Sequence, residues 1–553
     1  LSSSRTFSRR FVLSSALVLT ASGSAGLLLS GCPSPGSSGG GTASGAVPGV
    51  LRYPLTANPT TLDPALVSDG PTIDVLHQMY EGLVGWNEKS EIIPLLAAEM
   101  PKISADGKTY TFTLRDVKFP NGRAVTAEDV KYSITRALDP KLNSPVAMTY
   151  LNDIVGADAV AAGKATDLSG VKVIDPKTVS ITLVAARAYF LGKLTYPTSY
   201  VVPKEEVEKG NKTEGGAFTI DEKNAGQCGT GPFRLASYTR QSKVVLDANK
   251  DYWGGAPKLT RIERPIILDA KTARNLYDAG QLDLITLEKG DYEQVKDDAT
   301  LKDQIKSFDR AATFYLGMNQ THYKPFKDKR VRQAIAHAIN KDAIVQSVLL
   351  GINERANGVL PKGIPGFDPN LKGLEYDPEK SKKLLAEAGF PDGKGLPPLT
   401  LTFREKQPDL AKTAEVVKEQ LAAVGVQTNL NEMEWGAYLK ATDNREVDFF
   451  HMRWAADYID PQNFLSLLLH SEAPENRTAY SNPQYDRLCE QADAETDPAK
   501  RMALYNQAEK IVVDDAPWVP IYFQRDLELI KPYVTGIRDG LMGHLPHITT
   551  QTG

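Results

Sequence analysis

Apolar and polar positions follow two different periods along this chain. Tyr110, Phe112 and Leu114 interleave with Thr109, Thr111 and Thr113, a period of two that predicts a strand with one apolar face. Thr126-Ala127-Glu128-Asp129 then predicts a helix start. Thr126 is a good N-cap, the acidic pair suits the positive end of the helix dipole, and Val130, Ile134 and Leu138 recur at helical spacing. Another helix is expected near Lys329, with Val331, Ile335, Ala338 and Ile339 on its inner face. Asp377-Pro378 and Asp497-Pro498 each set an N-cap before a proline-tolerant first turn, and Gly389 and Gly425 suit helix C-termini. Mixed strand and helix signals without a tandem repeat predict α/β architecture, and the length beyond Val50 predicts two to four domains.

The N-terminus follows neither period. Arg5, Arg9 and Arg10 precede a mostly apolar stretch from Phe11 to Leu29, diluted by serines, a threonine and glycines, which reads as a secretory signal over residues 1–31 rather than a membrane span. The stretch ends in Leu29-Ser30-Gly31-Cys32, which resembles the bacterial lipobox and implies that Cys32 is acylated and becomes the first mature residue. Ser8-Arg9-Arg10-Phe11-Val12-Leu13 reads either as a twin-arginine export signal or as an ordinary charged leader. Residues 32–49 are almost entirely Pro, Ser, Gly, Ala and Thr and read as a flexible tether.

Composition adds little beyond confirming a globular chain: 41% hydrophobic residues supply a sizeable core, and a formal charge of −4 offers nothing to attract nucleic acid. The charge becomes more negative once the three arginines of the leader are removed. Cys228 and Cys489 are far apart in sequence and left open as a disulfide pair. No His-Glu-x-x-His, Gly-x-Ser-x-Gly, phosphate loop or Cys-x-x-Cys occurs, so no enzyme or cofactor is indicated. Gly229-Thr230-Gly231-Pro232-Phe233 has glycines but lacks the register of an anion loop, and Pro232 removes a donor, so it reads as a structural turn.

The run from Asp106 to Val130 resembles the signature of the peptide and nickel group of bacterial extracellular solute-binding proteins. Asn58 to Pro64, Tyr80-Glu81-Gly82-Leu83, Gly229 to Phe233, Asp251-Tyr252-Trp253 and Asp328 to Ile335 follow the same family in the same order. Trp454 to Pro461 and Leu529 to Val534 are similar to its oligopeptide-binding branch. The resemblance implies a periplasmic-binding-protein-like α/β fold, two large lobes around a hinged cleft with an additional small inserted domain. Domain I is expected at 50–80, 200–310 and 525–553, domain II at 81–199 and domain III at 311–524. The implied function is capture of short peptides for an ABC importer by a monomer anchored to the membrane through lipid. The same fold also serves nickel chelates, glutathione-like compounds and oligosaccharides; a periplasmic chaperone or an enzyme is the more distant alternative.

A peptide is extended, zwitterionic and variable in side chain, so a receptor must grip its backbone and both termini. The resemblance assigns the α-ammonium to Asp457, side-chain pockets to Trp454 and Trp435, backbone pairing to Ala455, further ligand contact to Tyr458, and the segment along the peptide to Ser68, Asp69 and Gly70. The carboxylate end is left between His451 and Arg453; strand alternation places them on one face without saying which face is inward.

Overall fold

The computed structural model describes residues 45–553; the leader, Cys32 and most of the tether lie outside the described residues. Three sheets organise the chain. The first runs Val50–Arg52, Arg261–Pro265, Lys243–Ala248, Phe233–Thr239, with its outer pair parallel and the others antiparallel. The second is antiparallel throughout, in the order Lys102–Ile103, Thr109–Thr113, Thr178–Thr182, Val171–Asp175. The third is seven-stranded and mixed: Leu284–Thr286, Trp518–Ile530, Ile305–Met318, Phe449–Ala455, Leu399–Arg404 and Thr428–Met433, with Glu354–Arg355 also on Trp518–Ile530. The α/β class read from the sequence is the class observed.

Local chemistry explains why these elements form where they do. Tyr110 and Phe112 point into the core of the second sheet and Leu114 is buried just past the strand. The helix Ala127–Ala137 starts at Thr126, where the Asp129 carboxylate accepts hydrogen bonds from the Thr126 amide at 2.8 Å and its hydroxyl at 2.9 Å, and Val130 and Ile134 lie inward. Asp377 and Asp497 cap the helices Pro378–Glu387 and Pro498–Asp515, each accepting from a first-turn amide at 2.9 Å. Gly425 takes a left-handed φ of 89° at a helix end. The Gly229–Phe233 loop packs against Met79, with the Gly231 amide donating to its carbonyl at 2.9 Å; a Cβ at Gly229 would sit 2.0 Å from that oxygen, so it is a packing turn. Cys228 and Cys489 are buried in different cores and do not pair with each other.

The strands Ile305–Met318 and Trp518–Ile530 pair along most of their length, but the register shifts between Asp309 and Thr313. The expected boundaries at 310/311 and 524/525 fall inside these continuous strands, beside that shift. The first and second sheets are tied by the Arg136 guanidinium clamped on Asp63, both buried, with Asp63 also accepting from the Ile220 amide at 3.0 Å. Among the described residues no helix is long and apolar enough to cross a membrane.

Candidate ligand-binding cleft

The strand Phe449–Ala455 carries the centre of the site. Its odd-numbered residues pass from core to cleft along one face: Phe449 packs in a core against the large sheet, His451 is buried beside Phe314, and Arg453 and Ala455 line a cavity of about 390 Å³. One edge is filled by Ile305–Met318 through Ala455; on the other, Leu399–Arg404 pairs only with Phe449 and Phe450. The ladder on that second edge ends at Phe450, and the His451 carbonyl accepts from the Tyr438 hydroxyl at 2.7 Å. From Arg453 to Ala455, where the strand reaches the cavity, no strand pairs with that edge among the described residues, which leaves main chain for a further extended segment.

The loop after the strand is tightly determined. Asn463 Oδ1 accepts from the Asp457 amide at 3.1 Å and from the Trp454 indole at 3.0 Å. Asp460 accepts from the Gln462 amide at 2.9 Å and takes both Arg501 terminal nitrogens at 2.7 Å. This holds the Asp457 side chain at the cavity, where burial pushes its carboxyl up to about 6. Tyr150 and Asn463 pull in the opposite direction but do not cancel the burial. Tyr150 is itself stacked on Tyr196 at 3.6 Å, and Tyr196 lines the same cavity. The Asn463 Nδ2 beside this carboxyl is buried and has no hydrogen-bond partner of normal geometry.

The remaining charges around the cavity are matched. Asp74 pairs with Arg264 at 2.8 Å, Asp526 with Arg310 at 2.6 Å, and Glu528 with His544 at 2.9 Å, where the carboxylate holds the imidazole above its ordinary value. His77 is kept neutral by burial. Two lining groups make no salt bridge among the described residues: Asp457, and Arg453, which feels the charge of Asp526 while Arg310 holds that carboxylate. Arg453 donates to Gln524 at 2.5 Å and is open to cleft water, yet protein surrounds it closely enough for burial to pull its guanidinium below the ordinary value. Arginine remains charged under such a shift.

Of the residues singled out from the sequence, the structure brings Ser68, Gly70, Arg453, Ala455 and Asp457 together around this cavity. The others stand elsewhere. Asp69 caps the helix Gly70–Met79, accepting from the Thr72 amide at 3.0 Å and the Thr60 hydroxyl at 2.6 Å. Trp454 is half-buried against the large-sheet core. Trp435 is 40% exposed, with the Arg404 guanidinium 4.6 Å from its ring centre. His451, expected as a candidate for the carboxylate end, is 2% exposed, neither ring nitrogen has a partner among the described residues, and burial with Lys289 nearby pushes it down to about 3, so it is a neutral ring buried in the sheet. Tyr458 points away from the cavity into the core of the second sheet. Tyr150, Tyr196, Trp86 and Met542 escaped the sequence reading; they are distant in the chain and carry no motif, and only the fold brings them here.

A cleft lined from several chain segments and holding, among the described residues, one anion and one cation without a salt bridge suits the capture of a small solute. Residues 91–476 match the family model described as "Bacterial extracellular solute-binding proteins, family 5 Middle". The chain is 31% identical over 514 residues to the "Oligopeptide-binding protein OppA" of Bacillus subtilis, covering 90% of this chain and 92% of that protein. It is 32% identical over 509 residues to the "Heme-binding protein A" of Haemophilus influenzae, covering 89% and 90%. Among solved structures, the murein tripeptide binding protein MppA of Escherichia coli superimposes with a TM-score of 0.78 at 30% identity, covering 91% of this chain and 98% of that one. The chain belongs to the family 5 extracellular solute-binding proteins, the non-enzymatic binding components of ABC importers.

Proposed function

We propose that this protein captures short peptides and hands them to an ABC-type importer, with Asp457 receiving the α-ammonium and Arg453 the carboxylate. The observation that carries the reading is the pair of unmatched charges in one cavity: every other charged lining group already has its counter-ion, so the vacancy complements a zwitterion. The unpaired strand edge from Arg453 to Ala455 supplies main-chain pairing that does not depend on peptide sequence. A charge-assisted hydrogen bond to Asp457 inside the closed cleft contributes about 1.5–3 kcal/mol. The register shift at Asp309 to Thr313 is the hinge about which domain III, 311–524, opens from domains I and II.

Cys32 is the lipid anchor, and the tether joins the first sheet where the Gly49 carbonyl accepts from the Arg261 amide at 3.2 Å, so domain I is the lobe held near the membrane. Native mass spectrometry of the purified full chain tests the ligand class. A ladder of co-purifying masses fitting short peptides is the expected result; a porphyrin, hexose or metal-chelate mass overturns the reading.

A further inference from the structure

We propose that Tyr458 is a positioning residue that latches the cleft: the residue after Asp457 crosses from domain III and seats its ring in the core of the small second sheet. That core is built from buried residues between Ala65 and Val201, and Tyr458 is its one buried member from beyond them among the described residues. The ring is 1% exposed. Its socket is floored by Gly192, where a Cβ would lie 3.2 Å from both the Cβ and Cδ2 of Tyr458. Gly192 lies within the short helix Phe190–Lys193, so it is the space, not a left-handed backbone, that requires glycine there.

The hydroxyl finds its partner on its own loop, donating to the buried Gln462. What crosses to the other lobe is therefore an apolar ring whose polar end is already satisfied. Because the second sheet is locked to the first by Arg136 and Asp63, domain III cannot swing open without withdrawing Tyr458 from its socket into water. Asp457 and Tyr458 are adjacent and diverge, one into the cavity and one into the core. A ligand held at Asp457 against Tyr150 of the small lobe thereby favours the state in which the latch is home, and this differential affinity drives closure.

The inference rests on the peptide reading for its probe, trialanine, and has an arm that does not. Stopped-flow binding and small-angle scattering on the full chain compare wild type, Tyr458→Phe, Tyr458→Ala and Gly192→Val. The latch predicts that Tyr458→Ala and Gly192→Val release trialanine about ten- to a hundredfold faster, as expected from the apolar area an aromatic ring returns to water. It also predicts association within about threefold of wild type, since affinity differences among related complexes lie mainly in dissociation. Both variants stay expanded at saturating peptide, whereas Tyr458→Phe, which keeps the ring, closes and releases like wild type. Wild-type release and compaction in Tyr458→Ala overturn the proposal, as does a loss confined to association. If trialanine fails to bind wild type, the peptide reading fails, and hydrogen exchange over residues 189–196 decides the latch: faster exchange in Tyr458→Ala supports it, unchanged protection overturns it.

Discussion

Asp457 and Asp460 stand on one loop and meet opposite fates. Asp460 is 8% exposed and gripped by both terminal nitrogens of Arg501, itself buried, with a further hydrogen bond from the Gln462 amide. Asp457 faces the cavity with no paired cation among the described residues, and burial pushes its carboxyl up to about 6. The first acid fixes the shape of the loop; the second is left under-satisfied at the position that shape presents. A carboxylate with its counter-ion built in has little to offer a ligand, while one held in a drier site without a counter-ion gains on meeting an ammonium.

The comparison breaks most visibly if the structural pair is cut. Arg501→Ala strands Asp460 as a buried uncompensated charge and is expected to lower unfolding free energy by about 3–5 kcal/mol in denaturant titration. Asp457→Asn should do the reverse to the two quantities. Peptide affinity falls about 10- to 150-fold by calorimetry, the loss of one charge-assisted hydrogen bond, while the ligand-free protein becomes more stable, since a destabilised charge is removed.

Acid sharpens the same contrast. The ligand-free Asp457 carboxyl is raised above its unfolded value, so its burial costs stability at neutral pH, and that cost is relieved as pH falls through about 6 toward the ordinary carboxylate range. Peptide affinity runs the other way: it is fully present above pH 6 and drops about tenfold per unit below it, as the carboxylate that meets the ammonium is protonated. Subtracting the pH profiles of Asp457→Asn from those of wild type over about pH 7.5 to 4.5 should therefore give slopes of opposite sign for affinity and for ligand-free stability. Arg453→Gln should weaken peptides with a free carboxylate by about tenfold and spare their C-terminal amides, because the guanidinium has no carboxylate partner of its own. The smallest effect is expected at His451→Phe, which removes two unpartnered buried nitrogens beside Phe314: peptide affinity unchanged, stability within about 1 kcal/mol of wild type or above it.

Locally encoded features were legible in the sequence. The Thr109–Thr113 strand and the caps at Thr126, Asp377 and Asp497 depend on neighbours a few residues away, and the structure places them as read. The cleft depends on tertiary placement, which alternation alone does not fix. His451 and Arg453 do share a face, but that face runs from core to cleft, so one is a buried neutral ring and the other a cleft cation. Tyr458 followed Asp457 into the ligand reading by adjacency, and the chain turns it to the other side. Trp435, expected in a side-chain pocket, instead lies exposed under Arg404. Tyr150 and Met542 reach the site through folds of the chain that no motif near them announces.

The central claim is that the unpaired carboxylate at the head of the cleft selects a free amine. Calorimetry of trialanine and N-acetyl-trialanine against wild type and Asp457→Asn tests it in one cycle. Acetylation should cost the wild type about 10- to 150-fold in affinity and the variant far less, since the partner it disables is already gone. Equal affinity of the two peptides for the wild-type protein would contradict the account.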